Sequence, residues 1–161
     1  MKKFATITAL LLCAAMMTGC AGGDTSSASD SSAIDAAEKS VTEKTAEVLS
    51  TVALPEMSEV TADKLPMYYK IAEEDVTEFS AYVAGAGAYP DEFGIFVAVD
   101  ETKAEEIKTK LEERVDKQMN TYRDYSPDEM YKFDDCVVEV DGNTVIFAVT
   151  DDNETAKDIL G

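Results

Sequence analysis

Val137-Val138-Glu139-Val140-Asp141-Gly142-Asn143-Thr144-Val145-Ile146-Phe147-Ala148-Val149-Thr150 is the stretch on which the fold turns. Two runs rich in β-branched residues flank an Asp-Gly step, the strongest short-range signal for a β-hairpin. The reading pairs a strand over Phe133–Val140 with one over Thr144–Thr150, across Asp141-Gly142-Asn143. The first run carries Asp134 and Glu139, as an edge strand does, whereas the second is apolar on both faces, the mark of a strand flanked on either side. It leads into Asn153–Leu160, where Ala156, Ile159 and Leu160 give a terminal helix its apolar side.

Upstream the same grammar recurs. Residues 95–107 (IFVAVDETKAEEI) echo residues 145–157 (VIFAVTDDNETAK), each an apolar strand feeding a helix start. Val76–Ala84 reads as a partner strand with Phe79, Ala81 and Val83 on one face and Ser80 and Tyr82 on the other, and the small residues of Gly85–Ala88 turn the chain into Phe93–Val99. The Thr102-x-x-Glu105 spacing predicts a capping box opening a helix from Lys103 to about Tyr122. Its stripe is Ala104, Ile107, Leu111, Val115, Met119 and Tyr122. Ser126-Pro127-Asp128-Glu129 predicts a second capped turn before the hairpin.

These elements give an α+β fold, a four-stranded antiparallel sheet in ββαββα order with its strands arranged 1-2-4-3. The long helix covers one face. If Ile95, Val97 and Val99 face that helix, Phe96 and Ala98 face away and need a second cover. The candidate is a short N-terminal helix carrying Val41, Thr45, Val48, Leu49 and Val52 at helical spacing and ended by Pro55. Between it and the first strand, Met57, Val60 and Leu65 read as isolated apolar anchors with at most one helical turn, limited by Pro66.

The beginning of the chain says where this domain works. Lys2 and Lys3 precede a short apolar run, and Met17-Thr18-Gly19-Cys20 resembles the lipobox of bacterial lipoproteins. The run is shorter than the ~20 apolar residues a membrane-spanning helix needs. The expected organisation is a signal peptide over residues 1–19, a flexible tether over 20–40 with lipid on Cys20, and a single domain over 41–161. A Gly/Ser-rich tether of that length reaches roughly 25 Å as a coil. The expected location is the extracytoplasmic face of the cytoplasmic membrane, with palmitate-type acyl chains on Cys20 as the anchor.

Composition excludes several chemistries. The formal net charge is −19, from 14 Lys and Arg against 33 Asp and Glu, which excludes nucleic acid as a partner. There is no histidine, so zinc, haem and Ser-His-Asp chemistry lose their usual ligand and base, and no cofactor is expected. Cys136 stands alone in a strand-like run and reads as a small buried hydrophobe. Asp134-Asp135 and Asp151-Asp152 lack the spacing of a catalytic pair or a calcium loop, and the second pair is explained by capping a helix. The best candidate for binding is Arg114, Gln118, Tyr122, Tyr125 and Tyr131, because tyrosine and arginine dominate recognition surfaces. The alternative is that Tyr122 and Tyr125 cover the end of the long helix.

Lys64-Leu65 with Tyr69, Asp91-Glu92, Leu111-Glu112-Glu113-Arg114 with Gln118, Tyr125-Ser126-Pro127 and the Gly142 hairpin together resemble a family of small Gram-positive lipoproteins described as a domain of unknown function (DUF4358). The resemblance covers Asp63–Leu160 and implies no assigned activity, so it carries over no catalytic residue. Two expectations of different class follow. The first is a non-enzymatic domain that binds a protein or glycan partner; the second is a small envelope hydrolase working with carboxylates alone.

Overall fold

In the computed structural model, residues 38–161 are described. The leader 1–19, Cys20 and the tether up to residue 37 lie outside the described residues.

The sheet has five antiparallel strands: β1 (Met57–Glu59), β2 (Val76–Ala84), β3 (Glu92–Ala98), β4 (Val137–Asp141) and β5 (Thr144–Val149), in the order β1-β2-β3-β5-β4. The four expected strands keep the order read from the hairpins, and the expected number is corrected by β1 at the free edge of β2. Met57, Ser58 and Glu59 lie opposite Ala84, Val83 and Tyr82. Three residues carry no periodicity, so this strand exists only because β2 offers it an edge. Between β1 and β2 the chain makes a short helix α2 (Leu65–Tyr69), with Pro66 in its first turn, where proline is tolerated.

The hairpin reading holds at its turn and shifts at its start. Asp141 pairs with Thr144, leaving a two-residue loop whose Gly142 sits at φ +57, a backbone glycine adopts without strain. The strand before it begins at Val137 rather than Phe133, because Pro127–Phe133 winds into a 3₁₀ helix that buries Phe133. Ser126 does not cap that turn; its hydroxyl donates instead to the Ala88 carbonyl, 3.2 Å away.

The long helix α3 runs Glu101–Tyr125. Its N-cap is Asp100, whose carboxylate accepts from Lys103 N at 2.8 Å, so the capping box expected at Thr102 is displaced by two residues. Its buried stripe of Ala104, Ile107, Leu111, Val115 and Tyr122 packs on Ala81, Val83, Phe96, Ala98, Val145, Phe147 and Val149. The face assignment on β3 is therefore the reverse of the one supposed: Phe96 and Ala98 face α3, and Ile95 faces away. Gly94 lets β2 and β3 approach closely, since a Cβ there would sit 2.7 Å from the Ala81 Cβ.

The second face is covered from within the chain. Helix α1 (Val41–Thr51) and helix α4 (Asn153–Leu160) lie on it, burying Val48, Val52, Ala156 and Leu160 against Phe93, Ile95, Ile146 and Ala148. Helix α1 is fixed by a complete capping box between Ser40 and Glu43. Thr45 shares a 2.6 Å hydrogen bond with Ser80 on β2, and Lys44 donates to the Leu160 and Gly161 carbonyls at 3.0 Å, tying α1 to the end of α4. The two similar halves thus place their helices on opposite faces of one sheet.

Candidate functional site

At the end of the sheet where β3 begins, two adjacent acids enter an otherwise apolar layer. Pro90 is buried ahead of them, and Asp91 and Glu92 are each 1% exposed. A carboxylate so placed needs a partner, and each has one from a different element. Glu92 meets Arg114 on α3, whose Nε donates to both carboxylate oxygens at 3.0 and 2.7 Å, with Nη2 2.6 Å from Oε2. Arg114 Nη1 donates to the Tyr68 carbonyl at 2.8 Å, and its guanidinium lies 4.9 Å from the Tyr69 ring centre. Asp91 meets Lys132, 4% exposed, at 2.7 Å, and Lys132 also reaches Glu129 at 2.7 Å and Asp151 at 3.2 Å.

Burial sets the electrostatics of this network. It pushes the Glu92 carboxyl up to about 7, with Arg114 pulling against it, and pushes the Asp91 carboxyl up against Lys132. The Lys132 ammonium is lowered by burial but raised more by its hydrogen bonds to Asp91 and Glu129, so it stays charged beyond the ordinary lysine range. Each buried charge is matched inside the fold.

Around this core the tyrosines divide. Tyr122 is buried and its hydroxyl donates to the Tyr89 carbonyl at 2.7 Å and the Gly87 carbonyl at 3.1 Å, clamping the small turn between β2 and β3. Tyr125, 68% exposed, stands edge-on to Tyr122 with centroids 6.5 Å apart. Tyr131, 53% exposed, donates to Asp151 and lies 5.9 Å from Lys132, while Tyr89, 42% exposed, lies 5.7 Å from the same ammonium on its own ring. Gln118 is half-buried one turn from both Arg114 and Tyr122, with its Oε1 unpartnered among the described residues.

Of the five candidate residues, Arg114 and Tyr122 are thus interior supports, Gln118 lies between them on α3, and Tyr125 and Tyr131 are outward-facing. Sequence reasoning missed Tyr89 and the lysine at the centre. The available signal was the pair Asp91-Glu92 at the head of a strand apolar on both faces, which demands buried cations somewhere in the chain.

The paired aspartates serve elsewhere. Asp152 caps α4, accepting from Thr155 N at 3.0 Å, and Asp151 is engaged by Tyr131 and Lys132. With Asp134, Asp135, Glu139 and Glu154 they border an open hollow of about 790 Å³ between β4 and α4. No group of three or more metal-holding side chains occurs among the described residues. Cys136 is half-buried, and burial pushes its thiol up, away from reactivity.

A family model described as "Domain of unknown function (DUF4358)" matches residues 50–150. That span contains all five strands, α2 and α3, with Asp91, Glu92, Arg114 and Lys132. No curated protein and no solved structure matches the chain.

Proposed function

The chain belongs to the family described as a domain of unknown function (DUF4358), and we propose that it is a lipid-anchored, extracytoplasmic lipoprotein whose domain binds a protein or glycan partner rather than catalysing a reaction. One observation carries the reading: Tyr89, Tyr125 and Tyr131 stand exposed around an end of the sheet whose buried charges neutralise one another. Exposed tyrosines on a rigid support offer large amphipathic contact area with little conformational entropy to lose. Tyr122 and Ser126, both bonded to the β2–β3 turn, supply the rigidity. The lipobox-like Met17-Thr18-Gly19-Cys20 supports the anchor.

The hydrolase alternative rests on Glu92, whose carboxyl is pushed up into the range of a general acid. Both of its oxygens accept from Arg114 and the residue is 1% exposed, so substrate contact would require that pair to open. Site-specific photocrosslinking in the native cells tests the proposal. A photoreactive residue at position 125 or 131 is expected to give a discrete adduct, absent from position 157 on α4. Adducts that are the same from all three positions, or none, would remove the tyrosine end as the partner surface.

A further inference from the structure

We infer that the hollow between α2 and α3 is a binding site for a single phosphate-type oxyanion, held by Lys70, Lys110 and Lys117. The chain has 14 Lys and Arg against 33 Asp and Glu, yet four of those 14 cations, these three and Arg114, line one hollow of about 80 Å³. The only carboxylate beside them there is Glu113. The hollow between β4 and α4 has the opposite lining, six carboxylates and one lysine.

The fold arranges this convergence. Lys110, Arg114 and Lys117 fall at i, i+4 and i+7, which places them on one stripe of α3. Lys70 joins from the end of α2, where it is held at φ +57, the one non-glycine residue at positive φ among those described. A lysine in that backbone region is uncommon and points to a local constraint. Arg114 is committed to Glu92 and the Tyr68 carbonyl, so the binding falls to the three lysines.

The three lysines are less committed. Lys117 makes no ion pair among the described residues, Lys110 has only Asp75 at 3.5 Å, and Lys70 has the exposed Glu113 at 2.9 Å. Tyr69 also lines the hollow, with its ring turned into the core against Phe96 and Phe147. A water occupies about 30 Å³ of liquid, so the space suits a compact oxyanion rather than an extended ligand. Lysine ammonium groups, as hydrated point charges, suit phosphate without demanding planar geometry. The inference does not depend on the tyrosine end or on any partner there.

Phosphate could arrive free or as a lipid head group, and one experiment separates the two. The full chain in zwitterionic detergent micelles is titrated with inorganic phosphate against sodium chloride at matched ionic strength. In a second arm the micelles are doped with short-chain phosphatidylglycerol or phosphatidylcholine. Backbone amide shifts are read throughout. Saturable shifts at residues 67–70 and 110–117 with inorganic phosphate alone identify a soluble ligand, and shifts with phosphatidylglycerol but not phosphatidylcholine identify a head group.

Lys117→Glu, at an exposed position, is expected to weaken the binding by about tenfold or more. Lys70→Asn, which keeps a residue tolerant of positive φ, should do the same, whereas the charge-matched Lys157→Glu should leave it unchanged. Melting temperatures check that each variant folds. Absence of saturable shifts in either arm, or equal weakening by Lys157→Glu, would overturn the inference.

Discussion

Arg114 and Glu92 are the residues on which the interior of the site depends. Removing one partner of a buried ion pair leaves the other charge without solvent or counter-charge, at a cost of about 3–5 kcal/mol. Arg114→Ala should therefore lower unfolding free energy by that order in urea titration, while Glu92→Leu combined with Arg114→Met should recover most of it. The pH dependence has a defined sign. The Glu92 carboxyl, raised to about 7 in the folded protein from an ordinary 4.5, holds a proton that the unfolded chain releases between those values. Its contribution to stability is thus complete below about pH 4.5 and lost as pH rises through 7. With Asp91 left contributing in the same sense, because burial also raises its carboxyl, Glu92→Gln should reduce the slope of the stability profile in that window. The lowered carboxyls of Asp75 and Asp151 act at more acidic pH and leave it untouched. None of these pairings was legible from spacing, because Glu92 lies 22 residues from Arg114 and Asp91 lies 41 from Lys132. The sequence offered two acids and an arginine; only the folded sheet brings them together.

Among the elements, α1 carries the clearest consequence. Without it, much of the face bearing Phe93 and Ile95 would meet water, at roughly 1.5–3 kcal/mol for each large side chain uncovered. Deleting residues 33–53 should lower the melting temperature and drive dimerisation or aggregation, read by light scattering. An unchanged monomer with an unchanged melting temperature would contradict the packing described. Although its Ser40–Glu43 cap was not read, this element was legible because its apolar spacing is local. So were β2, α4, the Gly142 turn and most of α3, where one pattern repeats over several turns. Strand β1 was not, since three residues cannot display a period and its pairing is set by β2. The face of β3 was misassigned for a related reason. A strand apolar on both sides gives no alternation to orient it, and only contact with α3 shows that Phe96 and Ala98 point inward to that helix. The 3₁₀ helix over Pro127–Phe133 replaced the start of β4 because Phe133 finds its burial beside Tyr122, which lies on another element.

At the scale of the molecule, charge and the proposed anchor work against each other. A net charge of −19, more negative if a leader containing Lys2 and Lys3 is removed, disfavours contact with anionic lipid, so in the proposed lipoprotein retention at the membrane would fall to acyl chains on Cys20. Mass spectrometry of the native protein should find an acylated N-terminal peptide beginning at Cys20, and Cys20→Ala should abolish it and leave the chain unprocessed or shed. The α+β class and the antiparallel sheet were readable from hairpins and helix starts alone. The outward-facing Tyr125 and Tyr131 were readable as residue types, though not the meeting of Tyr131 and Tyr89 beside Lys132 or of Tyr125 with Tyr122. On the proposed reading, a domain held this way would present that tyrosine end to a partner outside the membrane. Tyrosine nitration compared between intact cells and the purified protein tests this most directly. Tyr125 and Tyr131 should be modified in the purified protein and protected in cells; equal modification of Tyr125 and Tyr131 in the two settings would contradict a partner at this surface.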